Sequence, residues 1–412
     1  MFLQQHTALY AAFDIFPSSK GAATHISYFA EALFAHKQNG WLHILGDEEM
    51  PSYQNEENNI EITRFNEQIP NLLARTAMYG QELYENLCLQ KNLEICHFRD
   101  IWSGLAILAY QNHVNQATKT VFEVNSLPSI ELPYRYHLSS ASLANIKELE
   151  KICLSQANTI IVPSEVLRQF LVKQGVANHK ITCITNGATV PEKPQQVPPP
   201  QPFPKGEGAK LPPRWGRAGV GLENYIIYFG ALQSWQGIEV LLRAFALLRD
   251  NEDLHLVICS SLKEKFSRNF QKLTEKLGIS SHILWQHQLS KTELQSWIFG
   301  AKLSVAPLTE CSRNLEQGCC PLKILESMAC GIPVIASDLP VTREIITNHE
   351  NGKLVRADRP ADLSRAIRLL LEETAFCQEL GVNARKTVIE KFMWTDKQKE
   401  LIALYQKINT FA

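Results

Sequence analysis

Residues 321–336, with the sequence PLKILESMACGIPVIA, predict a short helix followed by a buried strand. Pro321 suits the first helical position, where its missing N–H costs no hydrogen bond. Gly331 stands where a helix commonly ends, and Pro333 prevents the helix from continuing. The run from Val334 to Ala336 is short and apolar, as strands inside parallel sheets are.

The start of this helix is also a predicted anion site. The loop before it, residues 313–320, is rich in small and polar residues, and free N–H groups at a helix N-terminus attract phosphates. Glu326 adds one carboxylate to an otherwise apolar helix, where it could accept hydrogen bonds from ribose hydroxyls. A structural helix with Glu326 in solvent fits these residues equally well.

The stretch resembles the nucleotide-binding segment of family-4 glycosyltransferases, which are retaining enzymes with two facing Rossmann-like domains (the GT-B fold). The family motif has two glutamates with seven residues between them, followed by small residues and Gly-x-Pro-Val. Glu326 matches the second glutamate, whereas Gly318 occupies the position of the first, which contacts the donor sugar in the family. The chain is similar to a subset that has no first glutamate and carries a Pro-Leu-Lys segment, here Pro321, Leu322 and Lys323.

The composition is that of an ordinary soluble globular protein. Of the 412 residues, 45% are hydrophobic and 20% are charged, and 41 lysines and arginines nearly balance 42 aspartates and glutamates. This balance gives no electrostatic case for nucleic acid as a partner. The 10 cysteines lack the spacing of a metal site, so they predict reduced thiols in a cytosolic protein.

The N-terminus does not resemble a signal peptide, because Gln4, Gln5 and His6 interrupt it. There is no run of about 18 apolar residues that would predict a membrane span. We therefore expect a cytoplasmic protein. Peripheral contact with the inner face of the membrane stays open, as does the oligomeric state.

A strand, a loop with a glycine and a helix open the chain. Residues 7–13 predict the strand, and Gly21 and Ala22 lie in the loop before apolar residues at helical spacing. This order brings backbone amides to the C-terminal edge of a sheet. A simple connecting loop also fits these residues, whereas the resemblance implies a position beside the donor phosphates and the acceptor.

Polar residues lie at the ends of two further predicted strands in this half. His97 ends the strand over 94–97. Glu123 and Asn125 follow the strand over 120–122, at the edge where open α/β sheets bind ligands. The resemblance implies a histidine near this second strand end, and Glu123 and Asn125 stand there instead. His97, Glu123 and Asn125 are the catalytic candidates, although His97 alone also fits a structural histidine.

The second half opens with a predicted strand over 225–229 and a loop that contains Gly230. The resemblance implies that this loop supplies an arginine and a lysine to the donor diphosphate. Ala231 and Gln236 stand at those positions and carry no charge. The phosphates must then be held by the N–H groups at the start of the helix that begins at Pro321 and by other cations, for which the candidates are Lys263, Lys265, Arg313 and Lys323.

Alternating strands and helices in both halves predict an α/β protein with two doubly wound domains, and the resemblance implies that they face each other across a cleft. We predict an N-terminal acceptor-side domain over 1–190 and a proline-rich linker over 191–222. A nucleotide-sugar-binding domain over 223–390 follows. A terminal helix over 391–412 is expected to pack back on the first domain.

The resemblance implies a retaining glycosyltransferase of polysaccharide biosynthesis that moves a sugar from a UDP-, GDP-, ADP- or dTDP-sugar to a hydroxyl of a glycan, a lipid-linked or a small acceptor. It implies no metal and no cofactor besides this donor. The expected donor-binding residues are Gly21, Ala22, Gly230, Gln236, Lys263, Arg313, Gly318, Pro321, Leu322, Lys323 and Glu326. Two alternatives stay open. One is a catalytically silent sugar-nucleotide-binding or scaffold protein, and the other is a GT-B sugar-nucleotide epimerase.

Overall fold

The computed structural model describes residues 4–18, 20–56, 59–192 and 224–410. Beyond its first two residues, the predicted linker over 191–222 lies outside these ranges. The described residues form two compact units, and each unit is an α/β sheet. The two predicted α/β domains are thereby confirmed as a fold class.

The first unit contains the described residues up to Asn186, the short segment Glu316–Cys320 and the last helix of the chain. The second contains the described residues from Gly187 to Leu315 and from Pro321 to Met393. The domain limits given by sequence stay predictions.

The strands of the first unit are β1 (Ala8–Ile15), β2 (Gly40–Leu45), β3 (Tyr53–Glu56), β4 (Ile60–Phe65), β5 (Ile95–Phe98), β6 (Lys119–Glu123), β7 (Thr159–Val162) and β8 (Ile181–Cys183). Its helices are α1 (Gly21–Lys37), α2 (Leu72–Cys88), α3 (Ile101–His113), α4 (Pro128–Glu131), α5 (Ser140–Gln156), α6 (Glu165–Lys173) and α14 (Trp394–Thr410). The sheet order is β3-β4-β2-β1-β5-β6-β7-β8. Strand β3 runs antiparallel to β4, and the other neighbours are parallel.

Strand β1 and helix α14 both contribute to the core of the first unit. The first five residues of β1 are fully buried, as expected of a central strand with apolar side chains on both faces. Helix α14 packs on α1, where the Tyr28 and Trp394 rings stack with centroids 4.6 Å apart and Gln398 donates to the Tyr28 carbonyl at 3.0 Å. The last helix of the chain therefore belongs to the core of the first unit.

The strands of the second unit are β9 (Tyr225–Gly230), β10 (His255–Ser260), β11 (Ile283–His287), β12 (Leu303–Ala306), β13 (Val334–Ser337) and β14 (Lys353–Val355). Its helices are α7 (Ile238–Ala246), α8 (Arg268–Leu277), α9 (Lys291–Gly300), α10 (Leu322–Ala329), α11 (Pro340–Arg343), α12 (Pro360–Glu372) and α13 (Thr374–Lys391). The sheet order is β11-β10-β9-β12-β13-β14, and all neighbours are parallel.

Both sheets reverse their strand order beside their first strand. In the first unit the switch lies between β1 and β5, and in the second between β9 and β12. Ligands of open α/β sheets bind beyond the carboxyl ends of the strands at such a switch. We therefore expect functional side chains near the carboxyl ends of β1 and β9.

The turn between β9 and α7 requires a glycine. Gly237 has φ +72°, and a Cβ there would lie 1.7 Å from the Pro307 carbonyl oxygen. Gly278, after α8, has nearly the same backbone conformation with φ +68°, but nothing lies within 4 Å of an added Cβ. An alanine at Gly278 would therefore suffer backbone strain alone, whereas an alanine at Gly237 would suffer the same strain and a steric clash.

We expect Gly278→Ala to lower the free energy of unfolding by about 1–2 kcal/mol, because only the left-handed conformation is strained. Gly237→Ala should lower it by about 1–3 kcal/mol more, because the Pro307 carbonyl must also move. Urea unfolding of both variants measures this difference. Equal losses would show that the close approach to Pro307 does not constrain this turn.

Candidate functional site

Helix α10 ends in a Schellman motif that directs the chain into β13. Gly331 has φ +72°, and its N–H donates to the Met328 carbonyl at 2.9 Å. The Ile332 N–H donates to the Ser327 carbonyl at 3.0 Å. Glycine adopts this left-handed conformation without the strain that a side chain would add. The predicted helix end and the strand after it are therefore confirmed.

The N-terminus of α10 lies close to its predicted position. The helix begins at Leu322 with Pro321 immediately before it, so the prediction of Pro321 as the first helical residue is wrong by one position. No side chain in the described structure caps this end. The N–H groups of the first turn therefore favour an anion.

The side chain of Lys323, in the first turn of α10, extends toward strand β9. Its Nζ donates to Gln236 Oε1 at 2.6 Å and lies 4.0 Å from the centroid of the Tyr228 ring. Only 9% of Lys323 is exposed. The amide oxygen and the aromatic face both stabilise a cation, so the ammonium group is held at the turn that follows β9.

Gly230 completes this arrangement at the end of β9. It has φ +124°, and a Cβ there would contact Lys323 Cε at 3.4 Å and Nζ at 3.5 Å. The glycine keeps the space beside the ammonium group open. Three predicted donor-binding residues, Gly230, Gln236 and Lys323, are thus brought together by the fold.

Glu326 lies three residues after Lys323 on the same helix. It is half-buried, and no hydrogen bond in the described part of the chain engages its carboxylate. Burial raises the pKa of Glu326, and the positive charges of Lys291 and Lys323 oppose that rise. An acceptor with unused capacity therefore stands one helical turn from the ammonium group.

Arg313 lies against the loop after β9 that also carries Gln236. The Arg313 guanidinium stacks over the Trp235 ring at 5.1 Å from its centroid. Asn314 fixes that loop by donating to the carbonyl oxygens of Trp235 at 3.0 Å and Thr309 at 2.8 Å. Lys263 is exposed in the turn after β10, and no described contact joins it to Lys323.

The segment Glu316–Cys320 is anchored to the first unit. The Leu127 N–H donates to Gln317 Oε1 at 2.9 Å, and Asn186 Nδ2 donates to the Cys320 carbonyl at 2.6 Å. These bonds fix both ends of the short stretch that carries Gly318.

A glutamate at position 318 would be strained in this backbone conformation. It has φ +79°, and a Cβ there would lie 2.9 Å from Val166 Cβ and 3.0 Å from Ser164 Oγ. The backbone conformation at position 318 therefore favours glycine over the glutamate that the family motif has there.

Gly21 and Ala22 form the first turn of α1, directly after the loop that leaves β1. Gly21 is exposed and Ala22 is half-buried. No side chain among the described residues caps this helix. The two residues therefore present backbone groups at the edge where the first sheet would bind a ligand.

The catalytic candidates of the first unit meet in one buried cluster around Glu123, the last residue of β6. Both Glu123 carboxylate oxygens accept hydrogen bonds. The groups around the carboxylate are the Tyr10 hydroxyl at 2.7 Å, Arg99 Nε at 2.8 Å, His97 Nε2 and His25 Nδ1 each at 3.1 Å, and the Asn125 amide.

Within this cluster, the Glu123 carboxylate and the Arg99 guanidinium form an ion pair. Burial alone would raise the pKa of Glu123, but the hydrogen bond from His97 and the positive charge of Arg99 lower it below its usual range. Burial lowers the pKa of His25 to about 4, so His25 is neutral near pH 7. Arg99 also bonds Asp14 at 2.8 Å, which balances its charge further.

His97 is fully buried, and both of its ring nitrogens are engaged. Nδ1 hydrogen-bonds the Tyr405 hydroxyl at 2.7 Å, and Nε2 hydrogen-bonds Glu123 at 3.1 Å. Tyr405 lies on α14, so the histidine ties the last helix to the sheet. The structure thus shows His97 as a link inside the first unit, and its catalytic role stays a prediction.

Sequence reasoning missed Tyr228, Tyr10, Arg99 and Tyr405. Arg99 could have been found, because it stands one position beyond β5 at the ligand edge of the sheet. Tyr405 carries no such signal, since it meets His97 from 308 positions away.

The described residues offer neither a candidate metal site nor a candidate membrane span. No group of three or more histidine, cysteine, aspartate or glutamate side chains there is arranged to hold a metal ion. None of the helices in those ranges combines the length and apolar character that a membrane span requires.

Two family models match the sequence. Glycosyltransferase Family 4 matches residues 19–190, and Glycosyl transferases group 1 matches residues 219–387. The matches fall on both halves of the chain and cover most of it. The chain belongs to the family-4 glycosyltransferases. The predicted family is thereby confirmed.

Named relatives and solved structures agree with this family. The D-inositol 3-phosphate glycosyltransferase of Jonesia denitrificans is 27% identical over 210 residues, which are 48% of this chain and 46% of the relative. Sucrose-phosphate synthase of Thermosynechococcus elongatus matches with a TM-score of 0.78 at 19% identity, covering 99% of this chain and 100% of that one. HepE of Anabaena, in complex with UDP-glucose, matches with a TM-score of 0.73 at 15% identity, covering 98% and 100%.

The structural likenesses show the fold, which is that of GT-B glycosyltransferases. The chain spans about half the length of the curated relatives that it matches.

The Glu123 cluster makes a testable contribution to stability. Glu123→Gln leaves the buried Arg99 without its main counter-charge, and we expect a loss of about 3–5 kcal/mol in the free energy of unfolding. Glu239→Gln is the matched control, because its pair with Arg243 is exposed and should contribute less than about 1 kcal/mol. Urea unfolding measures both. Similar small losses would mean that Glu123 is not the centre of a buried ion pair.

Proposed function

We propose that the protein is a retaining glycosyltransferase that transfers a sugar from a nucleotide-sugar donor to a hydroxyl group of an acceptor. Family membership supports the reaction class, and retention of configuration follows from the family resemblance. The observation that carries the proposal is the position of the Lys323 ammonium group, beside Gln236 and over Tyr228.

Lys323 would neutralise the donor diphosphate. The resemblance implies cations on the loop after β9, and this chain has Ala231 and Gln236 there. Lys323 brings a cation to the same loop from helix α10. Its charge would act with the open N–H groups of that helix, and both would stabilise the negative charge that develops on the leaving diphosphate.

Glu326 would bind the ribose of the same nucleotide. Its carboxylate is half-buried and has no hydrogen-bond partner in the described structure, so it can accept two hydroxyl hydrogen bonds. Bonds from neutral hydroxyls to a carboxylate are among the stronger hydrogen bonds in proteins. The base and the sugar of the donor stay open, with UDP-, GDP-, ADP- and dTDP-sugars as candidates.

The first unit would bind the acceptor. Gly21 and Ala22 present backbone groups at the carboxyl edge of its sheet, where a hydroxyl substrate can be positioned. The resemblance implies that the leaving phosphate takes the proton of the acceptor hydroxyl. No side chain is therefore needed as general base, which agrees with the engagement of His97 and Glu123 inside the buried cluster.

One observation favours a second function. Gly318 stands where the family has a glutamate that contacts the donor sugar, so this chain could bind sugar nucleotides without transferring the sugar. Turnover of a bound donor distinguishes the two functions, since a silent protein would bind the nucleotide and release no product.

A thermal-shift screen with UDP, GDP, ADP, CDP and dTDP, with and without added Mg²⁺, tests donor binding. A nucleotide at about 100 times its dissociation constant should stabilise the fold by roughly 2.7 kcal/mol. For the nucleotide that binds, Lys323→Met should weaken affinity by about 10- to 150-fold, because a charged hydrogen bond contributes roughly 1.5–3 kcal/mol. Glu326→Gln should also weaken it, since the carboxylate charge is lost.

Lys276→Met is the matched control, because Lys276 is an exposed lysine at the end of α8 in the same unit. Its affinity should stay within about twofold of the parent protein, well below the effect of a lost charged contact. The proposal is wrong if no nucleotide stabilises the protein, or if Lys323→Met and Lys276→Met bind nucleotide equally.

A further inference from the structure

Arg75 stands beside the carboxyl end of β1, the central strand of the first unit. It lies in the first turns of α2, and its guanidinium group lies over the Phe13 ring at 5.9 Å from the centroid. Phe13 belongs to the end of β1, next to the strand-order switch of this sheet. Arg75 therefore faces the edge at which open α/β sheets bind ligands.

Two of the three guanidinium nitrogens of Arg75 are buried and unsatisfied. Nε and Nη2 are both shielded from solvent, and neither has a hydrogen-bond partner in the described structure. A buried N–H without a partner is costly, and more so when it belongs to a charged group. Such a group in a native structure calls for an explanation, and an absent ion or ligand is one of the few available.

The identity of the two nitrogens indicates the chemistry of the ligand. The N–H of Nε and one N–H of Nη2 point in the same direction, along one edge of the planar guanidinium. This edge forms two parallel hydrogen bonds with the two oxygens of a carboxylate or a phosphate. The unsatisfied nitrogens, Nε and Nη2, thus form the edge of the Arg75 guanidinium that can bind an oxyanion through two hydrogen bonds.

The surrounding structure holds the guanidinium in place. The Phe13 ring beneath it packs edge-on against the Tyr79 ring with centroids 5.1 Å apart. The Tyr79 hydroxyl hydrogen-bonds Ser103 at 3.0 Å, and the Phe13 N–H donates to Asp100 Oδ2 at 2.6 Å. Arg75 is therefore pre-organised on a rigid support, which lowers the entropy cost of binding a ligand.

The neighbouring carboxylates do not satisfy Arg75. Asp14 pairs with Arg99 at 2.8 Å. Asp100 accepts from the Phe13 N–H and, through its other oxygen, from the Ser103 N–H at 2.8 Å. Neither carboxylate hydrogen-bonds Nε or Nη2 of Arg75 in the described structure, so we look for the oxyanion in a ligand.

We propose that Arg75 binds an oxyanion, a carboxylate or a phosphate, carried by the acceptor substrate. That the ligand is the acceptor rests on the proposed function, whereas the oxyanion site itself does not. Arg75 would fix the acceptor through two parallel hydrogen bonds and would reject neutral analogues, because an unpaired guanidinium edge would then stay buried.

Isothermal titration with inorganic phosphate and with D-glucuronate tests the site, at constant ionic strength and in a buffer free of other oxyanions. D-Glucose is the uncharged comparison. At least one of the two anions should bind the parent protein, and the stronger of them identifies the class of oxyanion. Arg75→Met should weaken that binding by at least about tenfold, as expected for the loss of a bidentate charged contact.

Two further variants make the result specific. Arg75→Lys keeps the charge without the planar fork, so it should also bind the anion more weakly. Arg135→Met removes an exposed arginine of the same unit and should leave the affinity unchanged. The titration is repeated in the Lys323→Met background, where a response that persists belongs to Arg75 and holds even if the donor proposal fails.

Stability separates binding from a structural role. In the anion-free buffer, Arg75→Met should have a melting temperature equal to or above that of the parent protein, because it removes an unsatisfied buried cation. The inference is overturned by a clear fall in that melting temperature. It is also overturned if neither anion binds the parent protein, or if Arg75→Met binds the anion as the parent does.

Discussion

The contact between the Lys323 ammonium group, the Gln236 amide oxygen and the Tyr228 ring fixes a positive charge at the end of β9 in the second unit. A lysine that is 9% exposed needs polar contacts around its charge, and the amide and the ring supply them. Gly230 leaves the space beside the ammonium open, and Gly237 lets the loop turn into α7 against the Pro307 carbonyl. The loop after β9 is thus adapted to a cation that arrives from α10.

The first unit uses its charged groups differently. Glu123, Arg99 and His97 lie at strand ends, which is the usual place for functional side chains, but they bond each other and Tyr405 of α14. A buried ion pair of this kind is strongly destabilising to break, so the cluster fixes the last helix to the sheet. Arg75 lies at the same sheet edge with two nitrogens unsatisfied, and this difference marks it as the residue available to a ligand.

Local patterns predicted the second unit well. The apolar run from Val334 to Ala336 and the glycine at Gly331 depend on neighbours within a few residues, and both were confirmed. Strand β3 was not predicted, because its four residues are polar and pair antiparallel at the sheet edge. Helix α3 was not predicted either, because it is buried on most sides and its apolar residues show no clear helical period.

The contacts within the candidate sites depend on distant parts of the chain. Lys323 meets Gln236 from 87 positions away, and His97 meets Tyr405 from 308 positions away. No spacing in the sequence encodes such neighbours, which arise only when the sheets assemble. The sequence did indicate both residues. Lys323 was a candidate cation, and Gln236 was the uncharged residue at a position where the family resemblance implies a cation. The structure brings these two residues together.

Moving the positive charge from helix α10 to the loop after β9 tests the assignment of Lys323 to the donor phosphates. Lys323→Gln removes it from α10, and the double variant Lys323→Gln with Gln236→Lys returns it to the loop position that the family resemblance implies. Nucleoside diphosphate affinity, measured by calorimetry, should fall in the single variant and recover to within about tenfold of the parent in the double variant, because one charge contact of roughly 1.5–3 kcal/mol is restored. An unchanged affinity in the single variant, or no recovery in the double variant, would contradict the assignment of Lys323 to the donor phosphates.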